Sequence, residues 1–528
     1  MNAMKTEQVR QVRRAALAVG VGAVLVGGVL LFVPDEDRAP EQGPEARARA
    51  AVGVGAPAAL SDLTALIRER ENWLRTHPED GQAWAVLGSA YVERGVAAAD
   101  PAYYPKADRA LQRSLAVQPG GPGEGQARGA GSGSASESGA GSGSGSGSGS
   151  GKDGRGAEDG KPGKGSRAGN PEALMGLASL ANARHDYVAA RRWGESVRTQ
   201  RPEAWTSYPV LIDAYTGLGD YKAAGRALEK LRALHSGAPV LIRAAEVYRD
   251  RGRSEDAVAK ATDAAARAGS PAERAKALDT LGELALERGE PTEALGHYEA
   301  ALTAARGRAQ SLAGRARALA SMGRADEATR EYQTALAKLP RPEYALDLGE
   351  LYDSLGLDGD AQTQYETLRE RAERAQGHGV NEELVLGRFE ADHGDPKAAV
   401  ARLRAEWAQS HRNMEVADAL GWALYRAGQG REALAYATKA TEPGRRSALF
   451  SYHRGEIERS LGMYGAARRH IEEALRTDPQ FSPLLAPQAR EALDALGEPE
   501  EGGPKDFYGS GPEKPTLERR EPAPPPQV

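Results

Sequence analysis

The sequence predicts an all-α protein, a solenoid of stacked helix–turn–helix units, and three observations predict it. A self-similar pattern recurs about every 34 residues. Aromatic residues make up only 5% of the chain while Ala and Gly abound, a composition suited to close helix–helix packing rather than to one large core. Apolar residues within each period recur at helical spacing, not with the alternation of a strand.

The 528 residues exceed one compact domain and suit a long repeat array. The formal net charge is -5 and no long Lys/Arg block is present, so a nucleic-acid footprint is not expected. Cysteine is absent, which excludes disulfides, thiolate metal sites and C-x-x-C chemistry.

From the amino terminus, residues 1–14 form a basic segment with Lys5, Arg10, Arg13 and Arg14. Ala15 to Val33 follow as 19 uncharged, mostly apolar residues. As a helix they extend roughly 28 Å, enough to span a hydrocarbon core. Asp35, Glu36 and Asp37 come after. The charge bias therefore predicts a single-pass membrane anchor with the amino terminus cytoplasmic and the remainder outside the cytoplasm. The run is longer than the apolar part of a cleaved signal peptide, and no small-x-small site follows it closely. Residues 34–58, rich in Pro, Ala and charge, read as a tether. Residues 120–169 hold a Gly/Ser run from Gly139 to Gly151 and read as a flexible linker, and residues 498–528 as a disordered Pro-rich tail.

The repeat itself is marked by Gly219, Gly252, Gly289, Gly323, Gly356, Gly394, Gly428 and Gly462. An alanine stands five residues after each: Ala224, Ala257, Ala294, Ala328, Ala361, Ala399, Ala433 and Ala467. Seven residues before stands Ala or Gly in every case except Ile212. The expected logic is a tiny residue on the first helix facing alanine on the second, with glycine ending the first helix where a left-handed residue is needed. A large residue further along the second helix, such as Tyr298, Tyr332, Tyr365 or Leu403, fills the gap. Leu174 to Pro202 fits in phase, with His185 in the glycine's place. Trp84, Leu87, Gly88, Tyr91, Gly95, Tyr104, Ala107, Leu111 and Pro119 form a first repeat with extra residues, Val96 to Ala102, in its turn.

This set of positions resembles the tetratricopeptide repeat. The resemblance covers residues 81–119 and 170–479, ten repeats in all, so that residues 59–119 hold a capping helix and the first repeat and residues 170–479 about nine more. Leu484, Leu485, Ala489, Leu493 and Leu496 predict a carboxy-terminal capping helix over residues 480–497. The resemblance implies a right-handed superhelix whose concave face is lined by the first helix of each repeat. It also implies a protein–protein interaction scaffold or adaptor. A narrower resemblance, carried by THPEDGQAWAVLGSAYVERG at residues 76–95, is to membrane-anchored repeat proteins of c-type cytochrome maturation. It implies an alternative role, holding an unfolded client. A spacer without affinity for any partner is a further alternative.

No chemistry-bearing constellation accompanies the repeats. The nine histidines form no H-E-x-x-H, and no G-x-S-x-G or kinase signature occurs. No stretch is left for a catalytic domain, so neither an enzyme, a cofactor, a metal nor a small-molecule substrate is expected.

The resemblance places ligands in the concave groove, facing positions six and three before each glycine. Those and neighbouring positions give the expected partner-binding residues Asp213, Glu246, Arg249, Asp279, Glu283, Arg317, Glu350, Asp353, Arg388, Trp422, Tyr425, Tyr452 and Glu456. The middle of the groove then reads as acidic and its carboxy-terminal end as aromatic. An extended Arg/Lys-containing protein segment anchored near Trp422 is the expected partner.

Overall fold

The computed structural model describes residues 43–53, 58–117 and 169–497. The expected span at 15–33, residues 118–168 and the tail at 498–528 lie outside them. Among the described residues no helix is long and apolar enough to cross a membrane.

Part of the segment read as a tether is instead a helix, α1 (Pro44–Gly53). Its Ala48 is fully buried against Leu63, Leu66 and Ala90, and Arg47 makes a two-pronged ion pair with Asp62, both contacts at 3.0 Å. Helix α2 (Leu60–Thr76) follows as the expected amino-terminal cap.

Ten helix pairs then stack in sequence. They are α3 (Gly81–Ala98) with α4 (Tyr104–Val117), α5 (Pro171–Ala183) with α6 (Tyr187–Gln200), α7 (Ser207–Gly217) with α8 (Tyr221–Leu234), and α9 (Ala238–Asp250) with α10 (Ser254–Arg267). Next come α11 (Pro271–Glu287) with α12 (Pro291–Ala304), α13 (Ala309–Ser321) with α14 (Ala325–Lys338), and α15 (Pro342–Ser354) with α16 (Asp358–Gln376). The last three pairs are α17 (Glu383–His393) with α18 (Pro396–Ala408), α19 (Met414–Arg426) with α20 (Gly430–Thr441), and α21 (Ala448–Ser460) with α22 (Tyr464–Thr477). Helix α23 (Leu485–Ala495) closes the end.

Local chemistry sets these boundaries. Asp80, Asp186 and Asp220 each accept a hydrogen bond from a backbone N–H three residues on, the N-cap arrangement. Proline opens α5, α11, α12, α15 and α18, where its missing N–H costs nothing. Seven of the eight marker glycines have φ between 70° and 78°, and His185 takes the same left-handed place at φ 59°. Gly394, at φ -135°, is the exception.

The small-residue rule holds with one change. The space above Gly88, Gly282, Gly349, Gly387 and Gly455 is filled by Leu111, Tyr298, Tyr365, Leu403 and Ile471, not by the alanine methyl expected there. A methyl group added at Gly349 would lie 2.3 Å from the Tyr365 ring. Small and large residues therefore interlock within these five hairpins, whereas Gly421 meets the Ala433 carbonyl and Ala437 N–H; both arrangements bring a Gly/Ala-rich chain to interior packing density.

The first repeat stacks directly on the second. Leu111 reaches Gly176, and Asn170 Nδ2 donates to Ser114 Oγ at 3.0 Å while Ser114 Oγ donates to the Gly81 carbonyl.

The coil is wound tightly enough for its successive turns to touch. Each early hairpin turn meets a loop about five repeats later. The Asn381 N–H donates to the Arg184 carbonyl at 2.9 Å, and Asn413 Nδ2 to the Gly217 carbonyl at 2.8 Å. The Met414 N–H donates to the Tyr221 hydroxyl at 2.9 Å, and Arg445 pairs with Glu287 across the same seam. Gly252 lies against the Gly444 carbonyl, and Gly289 against Thr477 to Pro479.

Candidate functional site

Winding the first helices inward forms a half-open cavity of about 1460 Å³ inside the first superhelical turn. The glycine-relative positions that line it are regular: six, ten and thirteen residues before the turn residue. They give Ser179, Met175 and Glu172 on α5, Asp213, Pro209 and Thr206 at α7, Glu283, Asp279 and Lys276 on α11, and Arg317, Ala313 and Gln310 on α13. Such spacing follows one face of a helix. The expected position three before the glycine contributes little: Leu286 is buried, and Ala320 is packed against a neighbouring hydrophobic cluster.

Helix α3 lines the cavity with Ala85, Val86, Val92 and Val96 interspersed with Gln82, Ser89 and Glu93, and Met175 and Val210 add apolar surface. Helices α9, α11 and α13, the end of α14 and the loops after α12 and α14 bring Arg243, Lys276, Arg317, Lys338, Arg308 and Arg341 to the same cavity. The expected acidic middle is thus interleaved with cations. Asp213 pairs with Arg243, Glu246 with Lys276 at 3.3 Å, and Glu283 with Arg249 at 3.6 Å. Burial opposes ionisation of Glu246, but Lys276, Arg243 and Arg249 overcome it and hold its pKa below the usual value. Burial pulls the Arg243 guanidinium below its ordinary value. Glu93, on α3, is pushed up to about 7 by burial, with only Arg243 opposing.

The other expected residues divide by environment. Asp279 is 3% exposed and accepts from Arg308 at 2.6 Å and from Ser311 at 2.5 Å. Arg249 contacts Asp250 at 3.2 Å, and Arg317 reaches Asp347 at 3.2 Å. Glu350 and Asp353 lie away from the cavity, around His393, at 3.7 and 3.4 Å. Burial raises the Glu350 carboxyl despite His393. Arg388 is half-buried on α17.

The aromatic end is packed rather than open. Trp422 is 4% exposed, stacks on His453 with ring centres 4.0 Å apart, and donates from Nε1 to Asp392 at 2.9 Å. Tyr452 is buried beside it, Tyr425 lies 5.0 Å from Trp422 between ring centres, and buried Glu456 pairs with Arg459 at 2.7 Å. The structure therefore gathers Asp213, Asp279, Glu283 and Arg317 at the cavity, places Glu246 and Arg249 beside it, and leaves Trp422, Tyr425, Tyr452 and Glu456 in a separate interior cluster.

Position counting missed Lys276, Arg243, Arg308, Arg341 and Tyr298. Extending the same helical face back from six to ten and thirteen residues would have found Lys276; the loop residues Arg308 and Arg341 follow no period.

A tetratricopeptide-repeat family model matches residues 285–346, and a second matches residues 242–309 and 419–480. No curated protein matches the chain. Among solved structures, a tetratricopeptide repeat protein from Parabacteroides merdae is 19% identical, covering 49% of this chain and 99% of its own, with TM-score 0.30. The Cut9–Hcn1 hetero-tetramer of the APC/C is 15% identical over 83% of this chain and 82% of its own, with TM-score 0.39. The Pseudomonas aeruginosa pilF structure is 19% identical over 39% of this chain and 95% of its own, with TM-score 0.32. Proteins built from such repeats generally mediate protein–protein interaction and are typically not enzymes. The described residues form an all-helical tetratricopeptide-repeat solenoid, with family-matched repeats at residues 242–346 and 419–480.

Proposed function

We propose that the chain is a membrane-anchored scaffold that holds a segment of another protein inside its first superhelical turn. The observation that carries this reading is the cavity: about 1460 Å³, lined by apolar side chains such as Val86, Val96, Met175 and Val210 together with many charged ones. Apolar contact supplies affinity, and fixed charges supply orientation and partner choice. The anchor rests on the uncharged run from Ala15 to Val33, and the extracytoplasmic placement on the basic residues before it.

A basic segment anchored at Trp422 fits the packing less well. It would have to displace the pairs already made by Asp213, Glu246 and Glu283, and to unstack Trp422 from His453. A segment lying along the cavity disturbs neither. A client held for cytochrome maturation would use the same face, and the identity of the captured protein separates that role from a scaffold's.

Photo-crosslinking in intact cells tests the proposal. A photoreactive side chain at Gln310, in the cavity, should attach reproducibly to the same one or few proteins. The same group at exposed Arg330 on α14 should not. Equal labelling from the two positions, or none from Gln310, would remove the cavity as the binding face.

A further inference from the structure

Six carboxylates line the cavity. Five of them, Glu172, Asp213, Asp279, Glu283 and Glu343, each meet an arginine. Glu93 is the sixth. Among the described residues its carboxylate makes no ion pair and no hydrogen bond. It is half-buried on α3, on the face that Gln82, Val86, Ser89 and Val96 present to the same cavity at helical spacing.

The charges around Glu93 leave room for one more cation. Among the described residues, Arg243 of α9 is the one cation that acts on it. That guanidinium already pairs with Asp213, and Glu246 draws on it as well. Lys276 is held by Glu246 at 3.3 Å, and Arg249, which also bears on Glu246, is committed to Asp250 and Glu283. Glu93, Asp213 and Glu246 thus depend mainly on Arg243 and Lys276. On the elements packed around α3, Tyr104 of α4 meets Glu93 as a neutral phenol, Glu172 of α5 is held by Arg201, and Arg49 of α1 is exposed. A carboxylate taken partly out of water without a partner is costly, and a cation brought in by a ligand removes that cost.

We propose that the captured segment carries a lysine or arginine set among apolar residues, and that its cation is the missing partner of Glu93. The proposal rests on the scaffold reading above and names the partner's chemistry. A segment that took the place of Arg243 at Asp213, or of Lys276 at Glu246, would have to break a pair. A single cation at Glu93 breaks none. The apolar residues beside that cation lie on Val86, Val96, Met175 and Val210, which surround the carboxylate in the same cavity.

The test uses the full chain, immobilised, and three pools of end-blocked nonapeptides. The central residue is Lys, Gln or Glu, and the flanks are drawn from Ala, Val, Leu and Ser. Mass spectrometry of the retained peptides should find the Lys pool enriched about tenfold or more over the other two. Burial holds the Glu93 carboxyl up at about 7, and a cation binds its ionised form. The enrichment should therefore grow as pH rises from about 6 to about 8. Glu93→Gln should abolish both the enrichment and its pH dependence. Having no pair to lose, that variant should melt no lower than the native chain. Equal retention of the Lys and Gln pools, or a Lys enrichment that persists in Glu93→Gln, would overturn the proposal. So would enrichment that appears only after residues 498–528 are removed, which would make the chain's own tail the occupant. Continued capture from Gln310 in cells without Lys-pool enrichment would overturn this inference and leave the scaffold standing; loss of both would end both.

Discussion

Glu382 precedes α17 and is 8% exposed. Burial pushes its carboxyl up to about 8, neighbouring Glu343 adds to the rise, and Arg341 opposes it. An unfolded glutamate titrates near 4.5. Between those values the folded chain holds a proton that the unfolded chain has lost, so stability falls as pH rises through the window and is flat above it. Glu382→Gln should therefore raise the melting temperature most at pH 9 and least near pH 4.5. Melting both proteins at several pH values checks this, and a gap that does not widen with pH would refute it. The same burial explains why residues were harder to assign than helices. Helical phase put Asp279 and Trp422 on the first helices of their hairpins. It could not show that Arg308 and Ser311 cover one, or that His453 and Asp392 occupy the other.

At the scale of one hairpin, the stabilising device is interlock between a bare backbone and a large side chain. Two glycines distinguish it from mere helix propensity. Gly349 on α15 has the Tyr365 ring where its methyl would go, whereas Gly296, inside α12, has nothing within 4 Å. Gly349→Ala should cost about 1–3 kcal/mol by overpacking. Gly296→Ala should instead gain roughly 0.5–1 kcal/mol, because alanine loses less backbone freedom on entering a helix. Denaturant titration gives both values, and equal signs would argue against the interlock. Hairpins were the most legible elements, because glycine, alanine and the large residue recur in phase and each marks a backbone crossing. Helix α1 was not legible: its Pro, Ala and charge resemble any tether, and Ala48 is buried only because α2 and α3 leave a slot for it.

At the scale of the whole molecule, contacts between repeats about five apart make the coil more than a row of neighbours. Nearest-neighbour stacking alone lets an array melt piecewise; a seam couples distant repeats. No period in the sequence announced this, because the touching groups are loop backbones and single side chains such as Asn413 and Arg445. Two turn glycines isolate the effect. Gly252 and Gly428 share a left-handed backbone, at φ 71° and 78°, so alanine at either should cost about 1–2 kcal/mol of local strain. Nothing lies within 4 Å of a methyl at Gly428, but one at Gly252 would stand 2.2 Å from the Gly444 carbonyl oxygen, across the seam. Gly252→Ala should thus be the more destabilising of the two. It should also speed hydrogen exchange over residues 411–447 and enlarge the radius of gyration in solution scattering, while Gly428→Ala leaves the latter as in the native chain. If the two variants lose equal stability and scatter alike, the turns of the coil touch without holding each other.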